Sequence, residues 1–172
     1  MTEQEILARL RSLEDHREIA ELLASYGPSV DSGDADGAAG LWAVDGTYDV
    51  EGWQMSGRQG VHEMVGSQSH QDLVAQGCCH FLGPAVITVD GDNAVAVCES
   101  LVLLRHNDSD AAGAEGHYRV WRATANHFVL TRIEGRWRIS TRTSRVLDGD
   151  RYAHGLLRAG RDGAVAPADE RG

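Results

Sequence analysis

Long apolar runs, paired cysteines and an excess of positive charge are all missing from this 172-residue sequence. No apolar run approaches the ~20 residues that a membrane-spanning helix needs. The three cysteines, Cys78, Cys79 and Cys98, have no C-x-x-C spacing, so they predict neither a disulfide framework nor a zinc site. The first ten residues are acidic and helical in pattern, unlike a signal peptide, so we expect a cytoplasmic protein.

The charge balance excludes another set of partners. There are 16 basic residues against 26 acidic ones, a net charge of -10. Phosphate groups need local positive charge, so this balance disfavours binding to nucleic acid or to an anionic membrane surface. The sequence also has no internal repeat and no linker, and its length is enough for one domain with a real core. We expect the domain over residues 1–148 and a C-terminal tail over residues 149–172.

The first half of the chain is helical in pattern. Apolar spacing predicts a short helix over residues 3–13 and a second helix from Asp15, with Glu18 in capping-box spacing, to about Asp31. Gly27-Pro28 predicts a kink in that helix, because proline loses a backbone hydrogen bond and clashes one turn back. Short helices are expected at residues 34–43 and from residue 61, and a loop over residues 66–77.

The second half alternates with period two, which is typical of strands. Strands are predicted over residues 46–50, 53–56, 79–89, 94–106, 118–132 and 137–146, with a loop at 107–116 and one short helix at 152–157. Helices first and hairpin-connected strands after indicate the α+β class. We expect a cone-shaped α+β barrel, in which a curved mixed or antiparallel sheet wraps around the N-terminal helices and encloses a pocket.

Five short motifs together resemble one fold family. They pair an aromatic and an acidic residue on the first long helix, then continue through a strand, a glycine turn, a histidine strand and a final strand. The motifs are Tyr26 with Asp31, Gly33-Asp34 and Leu41-Trp42; Asp45 to Tyr48; Gly57 to Val61; His80 to Gly83 with Val89 to Asp92; and Gly135 to Ile139. Over residues 10–146 the chain resembles the nuclear transport factor 2-like cone, in its SnoaL-like branch.

This resemblance implies candidate catalytic residues. Scytalone dehydratase, bile-acid 7α-dehydratase and hexachlorocyclohexane dehydrochlorinase share an Asp on the first long helix and a His at the start of a long strand; Asp31 and His80 stand at those places. Tyr26 is similar to the tyrosine that precedes the Asp in the bile-acid enzyme. Arg132 is the nearest match to an arginine of the dehydrochlorinase. Non-catalytic small subunits of ring-hydroxylating dioxygenases belong to the same fold.

The candidate residues suit an elimination reaction. His80 is the expected base, because the pKa of an ordinary histidine lies near working pH, and Asp31 would fix its tautomer. Tyr26 would donate a hydrogen bond to a leaving group, and Arg132 or Asn126 would meet a developing anion. The further residues expected to bind substrate are Trp42, Trp53, Asn126 and Phe128. We expect neither a metal nor a cofactor.

Each candidate also has a purely structural interpretation. Asp31 precedes Ser32-Gly33 and is compatible with a turn residue, His80 with a satisfied strand histidine, and Tyr26 with a core aromatic. Alternation along strand 118–132 puts Asn126 and Phe128 on one face of the strand and His127 and Val129 on the other, but it does not show which face lines the pocket. Surface positions are expected for five other histidines: His16, His62, His70, His117 and His154.

Two functions therefore stand as hypotheses. The first is a cofactor-independent lyase or isomerase, dehydratase-like, acting through Asp31 and His80 on a small cyclic hydrophobic substrate such as a polyketide or steroid. The alternative is a non-catalytic binding or assembly module that resembles a dioxygenase small subunit. In either case we expect a homodimer or homotrimer, with the strands over 94–106 and 118–132 in its interface.

Overall fold

The structure, a computed structural model, describes residues 1–106 and 116–169, so most of the loop predicted at 107–116 lies outside the described residues. Its helices are α1 (Glu3–Asp31), α2 (Ala35–Ala39), α3 (Gly57–Gly66), α4 (Gln68–Ala75) and α5 (Arg151–Arg161). Its strands are β1 (Trp42–Val50), β2 (Trp53–Ser56), β3 (Cys78–Leu82), β4 (Val86–Asp90), β5 (Asn93–His106), β6 (His117–Ile133) and β7 (Arg136–Val146). Within the described residues, no helix is both long and apolar enough to cross a membrane.

The helix α1 is continuous over Glu3–Asp31, so the predicted break before Asp15 is wrong. The kink at Pro28 stays a prediction. The helix is capped at Thr2, which forms a capping box with Glu5. Asp15 does not cap a helix, because its carboxylate accepts hydrogen bonds from Arg132 and Trp137 instead. Pro28 lies in the last turn and has no N–H to donate one turn back, yet the helix continues to Asp31.

The strands form one curved, unclosed mixed sheet, which confirms the expected cone-like α+β fold. The order is β2-β1-β7-β6-β5-β3, and β4 pairs with β5 beside β3. β1 runs parallel to β7, and the other pairs are antiparallel. The strand predicted over 79–89 is two strands, β3 and β4, because Gly83-Pro84 interrupts it and proline has no N–H for the ladder.

The segment 66–77, predicted as a loop, contains α4. The Ser67 side chain accepts a hydrogen bond from the backbone N–H of His70 and caps this helix. The turn of α4 carries His70 inward, where it is 7% exposed, so the surface position expected for this histidine is wrong. Short polar helices of this kind have weak periodicity, and packing against the rest of the molecule contributes most of their stability.

The main core lies between the inner face of the sheet and the helices α1 to α3. Its largest buried side chains include Trp42, Phe128, Ile19, Leu130 and Ile139. The outer face is covered in part by α5, which packs on β5 and β6 around Ala153 and Leu156. The boundary at residue 148 and self-association through the outer face stay predictions.

Candidate functional site

The site begins where α1 crosses β3. Gly27 lies directly against the carbonyl oxygen of His80, and a Cβ atom at position 27 would overlap that oxygen. Glycine is therefore the residue that lets the last turn of α1 approach the strand. One turn later, Asp31 ends the helix within reach of the same histidine.

Asp31 binds His80 through both carboxylate oxygens. Oδ1 accepts from the Nδ1–H of the ring and Oδ2 from the backbone N–H, each at 2.6 Å. A carboxylate only accepts hydrogen bonds, so this contact places the proton of a neutral His80 on Nδ1 and leaves Nε2 basic. Both side chains are partly exposed, at 21% for Asp31 and 15% for His80. The pair is thus oriented and accessible.

His80 lines a cavity of about 340 Å³. This volume falls within the range of small-molecule sites. The wall is mainly apolar and aromatic, with a few polar groups that converge on one side. Its members include Tyr26, Tyr48, Val50, Trp53, Met55, Met64, His70, Leu73, Leu82, Ser100, Val102, Trp121, Arg122, Thr124, Arg142 and Ser144.

Arg142 supplies a buried positive charge at this wall. It is 3% exposed, and its guanidinium lies over the rings of Tyr26 at 4.2 Å and Tyr48 at 4.4 Å. Its Nε and Nη2 donate to Oδ1 of Asn126 at 3.2 and 2.8 Å, while Nη1 has no hydrogen-bond partner. No carboxylate of the described residues forms an ion pair with it. A buried donor left unpaired in this way suits an anionic or carbonyl oxygen of a ligand.

Asn126 organises the polar side of the cavity from behind. Its Oδ1 accepts from Ser144 as well as Arg142, and its Nδ2 donates to Oγ of Ser100 at 2.9 Å. Thr124 joins the same network through Ser100 at 2.7 Å. Because each member constrains the next, the network holds the Arg142 guanidinium in one orientation.

Tyr26 offers a hydroxyl that stays protonated. Burial, and then the neighbouring Tyr48, raise its pKa above the ordinary value of 10.0. The ring is 4% exposed and stands edge-on to His80, with ring centroids 6.3 Å apart. A phenol in this environment can donate a hydrogen bond but does not act as a base near neutral pH.

His70 is a second histidine at the site. Its Nε2–H donates to the carbonyl oxygen of Val30 at 3.0 Å, and its ring centroid is 5.9 Å from that of His80. The hydrogen bond satisfies a carbonyl of the last turn of α1, next to Asp31. His70 therefore supports the helix end that carries the carboxylate.

Besides Asp31, four predicted site residues do not line the cavity. Arg132 binds Asp15 and Asp92 and covers the ring of Trp137, so its charge is already neutralised at the far end of β6. The other three, Trp42, Phe128 and Asn126, are fully buried behind the wall. Tyr26, His80 and Trp53 line the cavity, and Trp53 is 59% exposed. Asp31 is not part of the wall but contacts the His80 ring.

Asp31, Cys78 and His80 also form a group of possible metal ligands that the sequence did not indicate. Their donor atoms lie within 4.8 Å of one another. Two features oppose metal binding. The Nδ1 and Oδ1 atoms already share a proton, and burial raises the pKa of the Cys78 thiol to about 11, so the sulfur is not a ready thiolate. Proton transfer suits the pair better.

Comparison with known proteins identifies relatives of this fold and sequence. The family model of the SnoaL-like domain matches residues 11–143. An NTF2-like protein with a cystatin-like fold from Novosphingobium aromaticivorans is 41% identical, with a TM-score of 0.82 over 91% of this chain and 97% of that one. A search of curated proteins finds no match.

More distant structures share the fold alone. A protein of unknown function from Mycobacterium tuberculosis is 24% identical, with a TM-score of 0.68 over 92% of this chain and 96% of that one. A protein from Catenulispora acidiphila is 18% identical, with a TM-score of 0.66 over 80% of this chain and 94% of that one. These likenesses extend over most of each chain and show the same cone-like fold.

Proposed function

The chain belongs to the SnoaL-like domain family, and we propose that it is a cofactor-independent lyase or isomerase that abstracts a proton from a small cyclic hydrophobic substrate. The family includes polyketide cyclases and enzymes of the isomerase and dehydratase type. One observation carries the proposal: the 2.6 Å contact between Asp31 and the His80 ring on the wall of a largely apolar cavity.

His80 acts as the base. Its Nε2 takes a proton from a carbon next to a carbonyl group, and the electron pair of the C–H bond moves toward the carbonyl oxygen. The resulting imidazolium is stabilised by Asp31, which also holds the ring in orientation. Asp31 does not take the proton itself.

Arg142 stabilises the anion that forms. Its unpaired Nη1–H would donate to the enolate oxygen, in a position that the Asn126 network already holds. From the enolate, two outcomes are open. A hydroxyl on the next carbon leaves with a hydrogen bond from Tyr26, which is an elimination, or the protonated His80 returns its proton to another carbon, which is an isomerisation.

The alternative function is a non-catalytic binding or assembly module. Such a module would not need a base paired with a carboxylate, and a filled cavity would favour it. The Asp31–His80 contact and the open volume of about 340 Å³ beside it support proton transfer instead. The buried arginine with an unmet donor points the same way, because an unpaired charge is costly unless a ligand uses it.

A generic proton-abstraction reaction tests the base without the natural substrate. 5-Nitrobenzisoxazole is a small apolar bicycle whose ring carbon loses a proton to a base while the N–O bond breaks, giving a nitrile and a coloured phenolate. We expect the protein to accelerate phenolate release. His80→Asn should lower the rate about a hundredfold and Asp31→Asn about tenfold or more.

A surface pair provides the matched control. His62 and Asp36 form an exposed contact of the same type, with Nε2 and Oδ1 3.3 Å apart. His62→Asn should leave the rate unchanged. If His80→Asn and Asp31→Asn retain the full rate, the proposed base is wrong.

A further inference from the structure

A bulge in β6 shapes the rim of the cavity. Val102 pairs with Arg122 while Leu103 pairs with Val120, so Trp121 is an extra residue in β6. Bulges of this kind redirect side chains, often beside functional sites. Here Trp121 and Arg122, adjacent in sequence, both line the cavity.

Arg122 is a second arginine with an unmet donor. It is half-buried, and its guanidinium carbon lies 4.9 Å from the centre of the Trp121 ring. Its Nε atom is buried without a hydrogen-bond partner, and no ion pair joins it to a carboxylate of the described residues. The stacked ring holds the guanidinium without neutralising it.

The lining of the cavity carries more positive than negative charge, and the Asp31 carboxylate lies behind the wall, bound to His80. Arg122 and Arg142 both line it, against a single lining carboxylate among the described residues, Glu51. That carboxylate already accepts a hydrogen bond from the N–H of Val146. In a chain with a net charge of -10, two unneutralised cations beside an apolar cavity favour an anionic ligand.

The strand register places Arg122 at a useful distance from the base. His80 pairs with Val102, and Val102 pairs with Arg122, so the three stand in a row on one face of the sheet. Neighbouring strands are about 4.8 Å apart, which puts the backbones of His80 and Arg122 roughly 10 Å apart. An acidic group held by Arg122 leaves space for a ring next to His80.

We propose that the ligand of this cavity is an organic acid whose carboxylate binds Arg122 at the rim while its ring occupies the apolar interior beside His80. This inference rests on the proposed function only in taking the same cavity as the substrate site. It adds the class of substrate: a cyclic carboxylic acid in its anionic form, rather than an uncharged steroid or polyketide.

Two probes of the same shape separate charge from hydrophobicity. The anion 2-naphthoate and the uncharged 2-naphthamide differ only in the group that would face Arg122. With isothermal titration calorimetry, we expect the wild-type protein to bind 2-naphthoate at least about tenfold more tightly than 2-naphthamide. Arg122→Gln should bring this ratio close to one, chiefly by weakening 2-naphthoate.

Arg119→Gln is the matched control. Arg119 is an exposed arginine on the same strand that does not line the cavity, so this variant changes the net charge equally. It should keep the wild-type ratio. The proposal is overturned if wild type binds both probes alike, if 2-naphthoate does not bind, or if Arg119→Gln lowers the ratio as much as Arg122→Gln.

The binding ratio tests the class of substrate, and the proton-abstraction rate tests the base, so either claim can be wrong while the other holds. A preserved ratio with no phenolate release would keep the substrate class and remove the base. Phenolate release that depends on His80, together with equal binding of the two probes, would keep the base and remove the carboxylate preference.

Discussion

Two buried arginines of β7, three positions apart, meet opposite environments. Arg142 faces the cavity, where aromatic rings and the Asn126 amide surround it and no carboxylate of the described residues pairs with it. Arg145 is on the other face, where Asp49 binds it through both oxygens and Asp169 adds a third contact at 3.1 Å. The first charge therefore has no carboxylate partner among the described residues, whereas the second has two.

Substituting each arginine with methionine should separate these roles. Arg142→Met removes a buried charge without leaving a carboxylate unpaired, so we expect a free energy of unfolding within about 1 kcal/mol of wild type, or higher. Arg145→Met leaves Asp49 without its partner and should cost about 3 kcal/mol. Urea unfolding measures both.

The effects of the two substitutions on activity should be the reverse of their effects on stability. Arg142→Met should lower phenolate release from 5-nitrobenzisoxazole about a hundredfold, because a donor to the developing anion is lost. Once it is corrected for the folded fraction, Arg145→Met should keep the wild-type rate. A strongly destabilised Arg142→Met with normal activity would mean that this residue is structural.

At the scale of elements, the crossing of α1 and β3 decides the geometry of the site. Gly27 belongs to a pair, Gly27-Pro28, that indicates a kink by sequence rules. In the structure, Gly27 allows close contact between α1 and β3, because the absence of a side chain lets the His80 carbonyl oxygen lie against the helix. The 2.6 Å contact of Asp31 with His80 depends on that approach.

Adding one methyl group should test this crossing. Gly27→Ala would push β3 away from α1, and overpacking of this kind costs about 1–3 kcal/mol. We also expect lower phenolate release, because His80 moves relative to Asp31. Gly66→Ala is the control: it is exposed at the end of α3, with Ala35 at 4.0 Å, and should be neutral or slightly stabilising. Equal stability of the two variants would contradict the prediction.

At the scale of the whole molecule, the C-terminal segment covers part of the outer face of the sheet. α5 packs over β5 and β6, and the segment after it returns to the sheet at Ala164. His127, 1% exposed on that face, donates from Nε2–H to the Ala164 carbonyl oxygen at 2.8 Å. Burial lowers its pKa below the ordinary value of 6.5, and the bond to Ala164 offsets only part of this effect.

A lowered histidine pKa makes stability depend on pH in a defined direction. The unfolded chain binds a proton at His127 more readily than the folded chain, so this contribution is complete above about pH 6.5 and declines as the pH falls below it. His127→Gln keeps a donor for Ala164 and removes the titration. The loss of unfolding free energy between pH 7.5 and 5.5 should therefore be smaller in His127→Gln than in wild type.

The exposed His154 of α5 supplies the comparison for that experiment. His154→Gln should keep the wild-type dependence on pH, measured by urea unfolding at both values. If His127→Gln and wild type lose the same free energy, the titration of His127 does not contribute. Histidine side chains in general titrate in this range, so the difference between variants is the measured quantity.

Sequence patterns predicted most of the strands and the two residues in contact at the site. The hairpin turn after β4 and the period-two patterns of β5, β6 and β7 depend only on residues close in sequence, and the structure has these elements where the patterns predict them. Asp31 and His80 followed from family motifs that occur in one order along the chain. Their catalytic role stays a proposal, but their contact was predictable from those motifs.

The arginines of the cavity were not predictable in the same way. Alternation divides β6 and β7 into two faces, yet α5 covers the outer face, so both faces carry apolar residues and neither is marked as inner. Arg132 was chosen because it is the nearest match to an arginine of the dehydrochlorinase, but in the structure it binds Asp15 and Asp92.

The sequence alone determined most of the strands, their order and the residue types able to move a proton, because propensity, periodicity and turn chemistry act between near neighbours. Tertiary structure alone decided which charges are neutralised and which face the cavity. Ion pairs such as Arg132 with Asp15, and unmet donors such as those of Arg122 and Arg142, depend on distances between residues far apart in the chain. Only packing sets those distances.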